Sequence, residues 1–370
     1  MSQPKKYKIA LIGFRLGIGG AEKVMADLSI FFEKKGIEIH SIILIDEASY
    51  DYSGKLIVLE NHDKFSNKLI SNYKRFIFLR KYFKENNFDY IIDFRFRMKP
   101  IQEFLISKLL YNTKTIFTIH SFMLDIYLTK SPWFARKIFN KCYKIVTISD
   151  KVFEIIKENY KLKNVLRIYN PIDFETIEKK SNKNINLDFD YIIAVGQMEN
   201  NIKQFDKLID AYAKSDLPKN NIHLVLLGDG ERKLILKSLA KENNLETKIH
   251  FLGFQKNPFK FIKKAKYLVL TSKNEGLPNV ILESLACQTP VISFDCLSGP
   301  SEMIIDKVNG LLVENQNSEK LVLAMNLFLK DEILYKYCKE NTLESIKSFS
   351  VENIGKQWLD LMKIEEFQNK

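Results

Sequence analysis

A chain of 370 residues is too long for one compact core and suits about two domains of the usual ~100–200 residues. With 46% hydrophobic and 12% aromatic residues against 14 Gly and 9 Pro, it can bury enough surface to offset the entropy of ordering, which excludes disordered, collagen-like and low-complexity classes. The formal charge of +12 is one-sided: residues 1–172 hold 30 Lys and Arg against 17 Asp and Glu, and the remainder is close to neutral. An anionic partner is therefore expected for the first half alone, whether a membrane surface, a nucleic acid or a phosphorylated substrate.

In chain order, Tyr7–Ile12, Ile39–Ile45, Tyr90–Asp93, Thr115–Ile119 and Ile145–Ile148 read as strands, separated by helical segments such as Ala21–Lys35 and Lys68–Glu85. Apolar runs without alternation mark strands buried on both faces of a parallel sheet. The pattern breaks at Asn170-Pro171, and the polar stretch 175–186 shows neither period and reads as a linker. A second series follows: Tyr191–Val195, His223–Leu227, Ile249–Leu252, Tyr267–Leu270 and Val291–Phe294. The expected fold is α/β, two tandem Rossmann-like lobes facing a central cleft. Its parts are a first lobe at 1–172, a linker at 173–188, a second lobe at 189–350 and a C-terminal helix at 351–370 that can pack on either lobe.

The four cysteines, Cys142, Cys287, Cys296 and Cys338, form no C-x-x-C pair, and the five histidines form no H-x-x-x-H pair. Neither a disulfide framework nor a zinc site is signalled, and no apolar run reaches the ~18–20 residues of a membrane span. The opening residues lack a small-residue cleavage site, so the expectation is a cytoplasmic chain.

After the first strand, Gly13-Phe-Arg15-Leu-Gly17-Ile-Gly19-Gly20-Ala21-Glu22 opens a helix. Glycines let backbone approach a ligand, and the amides at a helix start attract anions. The spacing is not G-x-G-x-x-G and no acid stands where a dinucleotide ribose needs one, which disfavours NAD. The strongest local signal is Glu275-Gly276-Leu277-Pro278-Asn279-Val280-Ile-Leu-Glu283 after the strand Tyr267–Leu270. Pro278 suits the first helical position, aiming the following amides at the strand's carboxyl end, where a diphosphate fits. Glu275 and Glu283 can each accept hydrogen bonds from sugar hydroxyls. A plain helix-dipole role is the competing reading for both.

The run from Glu275 to Glu283, followed by Ala286-Cys-Gln-Thr-Pro-Val-Ile, Ser298-Gly299-Pro300-Ser-Glu302 and Asn309-Gly310-Leu-Leu-Val, resembles the E-x7-E region of retaining, family-4-type glycosyltransferases of the GT-B fold. Gly19-Gly20-Ala21-Glu22, Asn170-Pro171-Ile-Asp173 and Gly228-Asp229-Gly230-Glu231 extend the likeness over nearly the whole chain. The resemblance implies transfer of a sugar from a nucleotide diphosphate, with retention and without a metal ion or cofactor. It implies that Glu275 faces the donor sugar, Glu283 the ribose, the amides of Gly276 to Val280 the sugar and phosphates, and Lys203 the diphosphate. His120, closing the strand Thr115–Ile119, stands where relatives place a histidine beside the sugar. A lone strand-end histidine is otherwise more often structural.

One departure is Gly196-Gln197, where the family usually has Gly-Arg. Either Lys203 suffices, or Arg15 from the glycine loop supplies the second cation. Asp188-Phe-Asp190 has the D-x-D form of metal-dependent transferases, but it enters a buried strand from the linker and is assigned no metal.

Basic and aromatic residues interleave in 73–84 and 132–144, as a helix lying on an anionic bilayer requires. Arg95, Arg97 and Lys99 follow a strand and are expected in an acceptor-binding loop, for a lipid-diphosphate or acidic-sugar acceptor, with an inter-lobe salt bridge as the competing reading. The leading expectation is therefore a glycan-building transferase associated with the inner membrane face, acting on a glycan or lipid-linked acceptor with a UDP- or GDP-sugar donor. The alternative is a basic nucleic-acid- or membrane-binding protein with an idle transferase-like lobe, although no nucleic-acid reader module is present.

Overall fold

The computed structural model describes residues 6–17, 19–60, 68–111 and 113–365. The chain divides into two compact units, Met1–Pro171 with Val351–Lys370 and Ile172–Ser350.

The first unit runs β1 (Lys8–Gly13), α1 (Gly20–Lys34), β2 (Glu38–Ile43), β3 (Lys55–Val58), α2 (Lys68–Asn86), β4 (Tyr90–Asp93), α3 (Pro100–Leu105), β5 (Lys114–Ile119), α4 (Pro132–Phe139), β6 (Lys144–Thr147), α5 (Asp150–Ile155) and β7 (Val165–Arg167). Helix α3 continues into a wider turn, Ile106–Leu110. The strands pair in parallel in the order β3-β2-β1-β4-β5-β6-β7, with Ile9 opposite Ile39 on one side and Tyr90 on the other.

The second unit runs α6 (Phe174–Ser181), β8 (Tyr191–Val195), α7 (Phe205–Lys214), β9 (His223–Leu227), α8 (Lys233–Glu242), β10 (Ile249–Gly253), α9 (Phe259–Lys264), β11 (Leu268–Leu270), α10 (Asn279–Ala286), β12 (Val291–Phe294), α11 (Pro300–Met303), β13 (Gly310–Val313), α12 (Ser318–Lys330) and α13 (Glu332–Ser345). Its sheet, also parallel, has the order β10-β9-β8-β11-β12-β13. Central strands such as Tyr191–Val195 and His223–Leu227 are apolar runs because helices cover both faces of each sheet.

The helix α14 (Val351–Met362) belongs to the first unit. Ile354, Trp358, Leu359 and Met362 join the core formed by α1 and β1, and the hydroxyls of Tyr90 and Tyr143 donate to the carbonyls of Met362 and Leu361. The helix ends at Met362, short of the expected 351–370, of which residues 366–370 lie outside the described residues. No helix among the described residues is long and apolar enough to cross a membrane.

The linker expected at 173–188 is corrected. Asp173 caps α6, its carboxylate accepting from the Thr176 amide at 3.0 Å and hydroxyl at 2.6 Å, and the helix buries Ile177 and Ser181. An eight-residue helix with one large buried apolar side chain leaves too little periodicity to detect. The three strands that the pattern missed, β3, β7 and β13, are all sheet edges of three or four residues; β3 and β7 are only partly covered, and β13, although buried, is too short a run to stand out.

Candidate active site

Each sheet reverses its direction of growth once, between β1 and β4 in the first unit and between β8 and β11 in the second. Ligands of open parallel sheets bind beyond the carboxyl ends of the strands at such a switch point. In the second unit the loops after β8 and β11 meet there.

Gly196 and Gln197 follow β8, and Gln197 is exposed. Lys203 precedes the α7 cap residue Gln204 and reaches back across Gly196, where a Cβ would stand 3.0–3.2 Å from the Cγ, Cδ and Cε of Lys203. Any larger residue at 196 would displace that stem. The Lys203 Nζ ends 2.5 Å from Oε1 of Glu275, and the Ser272 hydroxyl donates to the same oxygen at 2.6 Å. The loops are stitched through backbone as well: the Thr271 hydroxyl donates to the carbonyls of Lys203 and Gln204, and the Lys273 amide to that of Ile202 at 2.8 Å. The Lys203 and Glu275 side chains keep 23% and 13% exposure, so the pair is partly shielded yet within reach of a ligand.

Beyond Glu275 the chain turns into α10. Pro278 is the cap residue, with ψ 97°, so the helix starts at Asn279, one residue later than its sequence suggested. Extended ψ places the proline just outside the first turn. The Ser298 hydroxyl donates to the Gly276 carbonyl at 2.8 Å, and the next residue, Gly299, has φ +99°. A Cβ at Gly299 would stand 2.5 Å from Cδ of Pro278, so only glycine lets the two loops close on each other. Gly276, Leu277 and Val280 are buried and Asn279 half-buried, and the orphan amides of the helix start follow directly on the Glu275 loop. Glu283 lies in the second turn, half-buried. Burial, with the Glu275 carboxylate adding to it, pushes the nearby Cys296 thiol up to about 12, which makes it no nucleophile.

Asp190 of the D-x-D sequence enters β8 at the end opposite the Gly196 loop and pairs with Lys266 at 2.9 Å. Among the described residues, no three His, Cys, Asp or Glu side chains are grouped to hold a metal ion.

In the first unit Gly19 caps α1 and Gly20 begins it. The Arg15 guanidinium is held by Glu47, Nη1 to Oε2 at 2.8 Å, and the Glu47 carbonyl accepts the Leu16 amide. Arg15 thus pairs with Glu47 through one nitrogen, while its Nε is buried without a hydrogen-bond partner. His120 ends β5 with both ring nitrogens buried and Phe94 stacked against its ring at 5.5 Å. Burial first and Arg97 second lower its pKa to about 3, against the pull of Asn170, so the imidazole is neutral.

The acceptor role expected for Arg95 and Arg97 is corrected. Both side chains are buried, at 10% and 0% exposure. Arg95 donates to both carboxylate oxygens of Asp93, to Glu103 at 3.0 Å and to the Tyr111 hydroxyl at 3.1 Å. Arg97 donates to the carbonyls of Asp93, Arg95, Thr118 and Tyr127, and lies 5.1 Å from the centre of the Phe117 ring. These bonds run inside the unit and tie the end of β4 to the end of β5. Although burial works against it, the guanidiniums hold the Asp93 carboxyl below the usual carboxylate range. Lys99 alone of the three is exposed, at the start of α3.

Residues 175–345 match the family model of glycosyl transferases group 1, and residues 18–176 that of glycosyltransferase family 4. A Campylobacter jejuni protein, N-acetylgalactosamine-N,N'-diacetylbacillosaminyl-diphospho-undecaprenol 4-alpha-N-acetylgalactosaminyltransferase, is 31% identical over 95% of this chain and 98% of its own. The chain belongs to glycosyltransferase family 4. A second C. jejuni relative of the transferase, named as an alpha-1,4-N-acetyl-D-galactosaminyltransferase acting on a diphospho-undecaprenol-linked glycan, is 28% identical over 96% of this chain and 98% of its own. Among solved structures, Anabaena HepE with UDP and glucose superimposes with a TM-score of 0.79 at 17% identity, covering 96% of this chain and 99% of that one. The transferase thus has the GT-B fold, two parallel-sheet α/β domains.

The sequence reading placed Lys203 and Glu275 in one site without seeing that they pair. It also missed Ser272 and Thr271, which fix that pair. A hydroxyl three residues before a loop carboxylate is the signal that pointed to Ser272.

Proposed function

We propose that the transferase moves a sugar from a nucleoside diphosphate to a hydroxyl of a lipid-linked glycan, with retention and without a metal ion, in building a bacterial surface polysaccharide. The observation that carries this reading is the Lys203–Glu275 pair, set at the β8/β11 switch point beside the start of α10. The bond from the anomeric carbon to phosphate oxygen breaks with its electron pair going to the phosphate. Lys203 and the α10 amides stabilise the charge that builds there, which is the task a metal ion performs elsewhere. Lys203 shares itself between Glu275 and the diphosphate once donor binds. Glu275 faces the sugar as it becomes oxocarbenium-like, and Glu283 takes the ribose hydroxyls. The acceptor oxygen bonds to the anomeric carbon on the face that the phosphate leaves and gives its proton to the departing phosphate oxygen, which retains configuration. His120, held neutral, is assigned a hydrogen bond to a sugar hydroxyl. The names of the two C. jejuni relatives support an acceptor on a lipid diphosphate and put UDP-N-acetylgalactosamine first among donors to try.

Thermal-shift measurement with UDP, GDP and oligonucleotides tests the reading, since a ligand at a hundred times its Kd stabilises by about 2.7 kcal/mol. Stabilisation by a nucleoside diphosphate, and transfer that survives EDTA, are expected. Stabilisation by oligonucleotides alone would support the idle-lobe alternative. Transfer lost to EDTA and restored by Mg²⁺ or Mn²⁺ would overturn metal independence.

A further inference from the structure

The helices after β4 and β5 hold apolar side chains in water. Ile101, Leu105 and Leu109, spaced by four along α3 and its continuation, are 74%, 46% and 53% exposed, and Trp133 on α4 is 60% exposed. Phe104 and Phe134 stack between the two helices at 6.0 Å, so this stripe and Trp133 sit on neighbouring helices of one layer. Single exposed apolar residues are ordinary, whereas a stripe with one register marks a surface that meets something apolar.

The exposed charges on α3, its continuation and α4 have one sign; beside them Asp125 pairs with Lys130 at 3.4 Å. Across 96–110 the exposed charged residues are Lys99 and Lys108, because Arg97 and Glu103 are buried. On α4 Lys137 is exposed, with its ammonium 5.4 Å from the centre of the Trp133 ring. At the foot of the layer, where β5 and β6 begin, a cavity of 480 Å³ opens. Lys108, Lys114 and Lys141 line it with Ser107, Thr113 and Asn164, whose side chains donate to the carbonyls of Phe104, Asp89 and Cys142, and no carboxylate is among its lining residues. Lys114 is fixed there between the rings of Tyr90 and Tyr143, at 5.2 and 5.4 Å. Three cations at one cavity without a carboxylate suit a phosphate. Lys108, which lines that cavity, is the neighbour in sequence of Leu109 in the apolar stripe.

A phosphate beside an apolar chain is the chemistry of a membrane phospholipid. We propose that this face docks on an anionic bilayer, the lysine cavity taking the phosphate of a phospholipid headgroup while Ile101, Leu105, Leu109 and Trp133 enter the acyl boundary. The inference deepens the lipid-linked acceptor reading, and it places the contact on α3, which the sequence did not single out. Cations hold the protein near the surface and the apolar stripe holds it in the boundary, so binding is peripheral and reversible.

The test is co-sedimentation of the full chain, without sugar nucleotide, with vesicles of phosphatidylglycerol and phosphatidylcholine or of phosphatidylcholine alone. Binding is expected only with phosphatidylglycerol and is weakened by salt. It should fall at least tenfold in Lys108→Glu/Lys141→Glu, and at least tenfold in Leu105→Ser/Leu109→Ser even at low salt. Unchanged melting temperatures and UDP-induced shifts show that both variants are folded. Equal binding to neutral vesicles, or vesicle binding indifferent to both double variants, would overturn the proposal. So would a melting shift with inorganic phosphate that Lys108→Glu/Lys141→Glu removes while vesicles stay unbound, which would make the cavity a free-anion site. A dimer dissolved by Leu105→Ser/Leu109→Ser without vesicle binding would give the stripe to a second copy instead. Vesicle binding without any nucleotide effect would keep the docking face and remove the donor reading, and the reverse result would do the opposite.

Discussion

The β1/β4 and β8/β11 switch points occupy the same topological position in their sheets, yet one is filled and the other is open. Beyond β4, Asp93, Arg95, Arg97, Glu103 and Tyr111 satisfy one another inside the protein, with Asp93 and Arg97 fully buried. Beyond β8 and β11, Lys203 and Glu275 make one ion pair, keep partial exposure and stand at a helix start. Cations at the carboxyl end of a strand therefore do not by themselves mark a ligand site. What separates the two regions is how deeply the cations are buried and how many internal acceptors they already serve. A saturated network contributes to the fold, and an unsaturated one has capacity left for a substrate.

The largest expected effect breaks that comparison if it fails. Arg97→Ala leaves buried carbonyls without donors and Asp93 short of a counter-charge, and removing one partner of a buried ionic network costs about 3–5 kcal/mol. Urea unfolding should show this loss. Arg97→Lys should not recover it, because an ammonium cannot reach carbonyls on three sides at once. A stable Arg97→Ala protein with lost transfer would return Arg97 to the acceptor role.

In the open region the loss should appear in rate and not in stability. Lys203→Ala should lower kcat/KM about 10²–10³-fold, roughly 2.7–4 kcal/mol of transition-state stabilisation, while the melting temperature stays close to wild type. Glu275→Gln should abolish transfer with nucleotide binding nearly intact, and Glu283→Gln should weaken nucleotide binding first. Equal loss of nucleotide affinity in both carboxylate variants would contradict that division.

The same contrast explains what was legible in the sequence. The central strands of both units were readable because helices on both faces force β-branched apolar runs, and α10 was readable from Pro278 and the carboxylates that bracket it. Edge strands β3, β7 and β13 were not, since β3 and β7 are short and partly covered and β13, although buried, is only four residues long. Arg95 and Arg97 misled because a strand-end loop shows its cations in sequence but not their depth. Asp93 two residues before Arg95, and Glu103 eight after it, were the available sign of a closed network. Glu47 lies 32 residues from Arg15, and nothing local announced that pairing.

Acid should sharpen the distinction for His120, which is neutral in the fold. Its folded pKa of about 3 lies below the ordinary value of 6.5, so in that window the unfolded chain binds the extra proton. Stability should therefore fall as pH drops from about 6.5 toward 3, by about 2 kcal/mol at pH 5 relative to neutral pH. His120→Gln should flatten the dependence in that window. An unchanged slope would mean that the imidazole is not kept dry.

The smallest effect is expected at Arg15, and it decides how the missing arginine at Gln197 is compensated. Arg15 and Glu47 pair with 31% and 34% of their side chains exposed, a setting in which an ion pair contributes about 0–1 kcal/mol. Arg15→Ala should lower stability by no more than that. It should also leave UDP affinity and turnover within about twofold, because the guanidinium is already neutralised by Glu47 and the work of charge stabilisation falls to Lys203 and the α10 amides. The informative control is Glu47→Gln, which frees Arg15 without removing it. If Glu47→Gln tightens UDP binding and Arg15→Ala weakens it tenfold or more, Arg15 acts as the second phosphate cation and Glu47 restrains it. If neither variant moves UDP affinity, the donor site works with one lysine, and the loop after β1 is as self-satisfied as the network beyond β4.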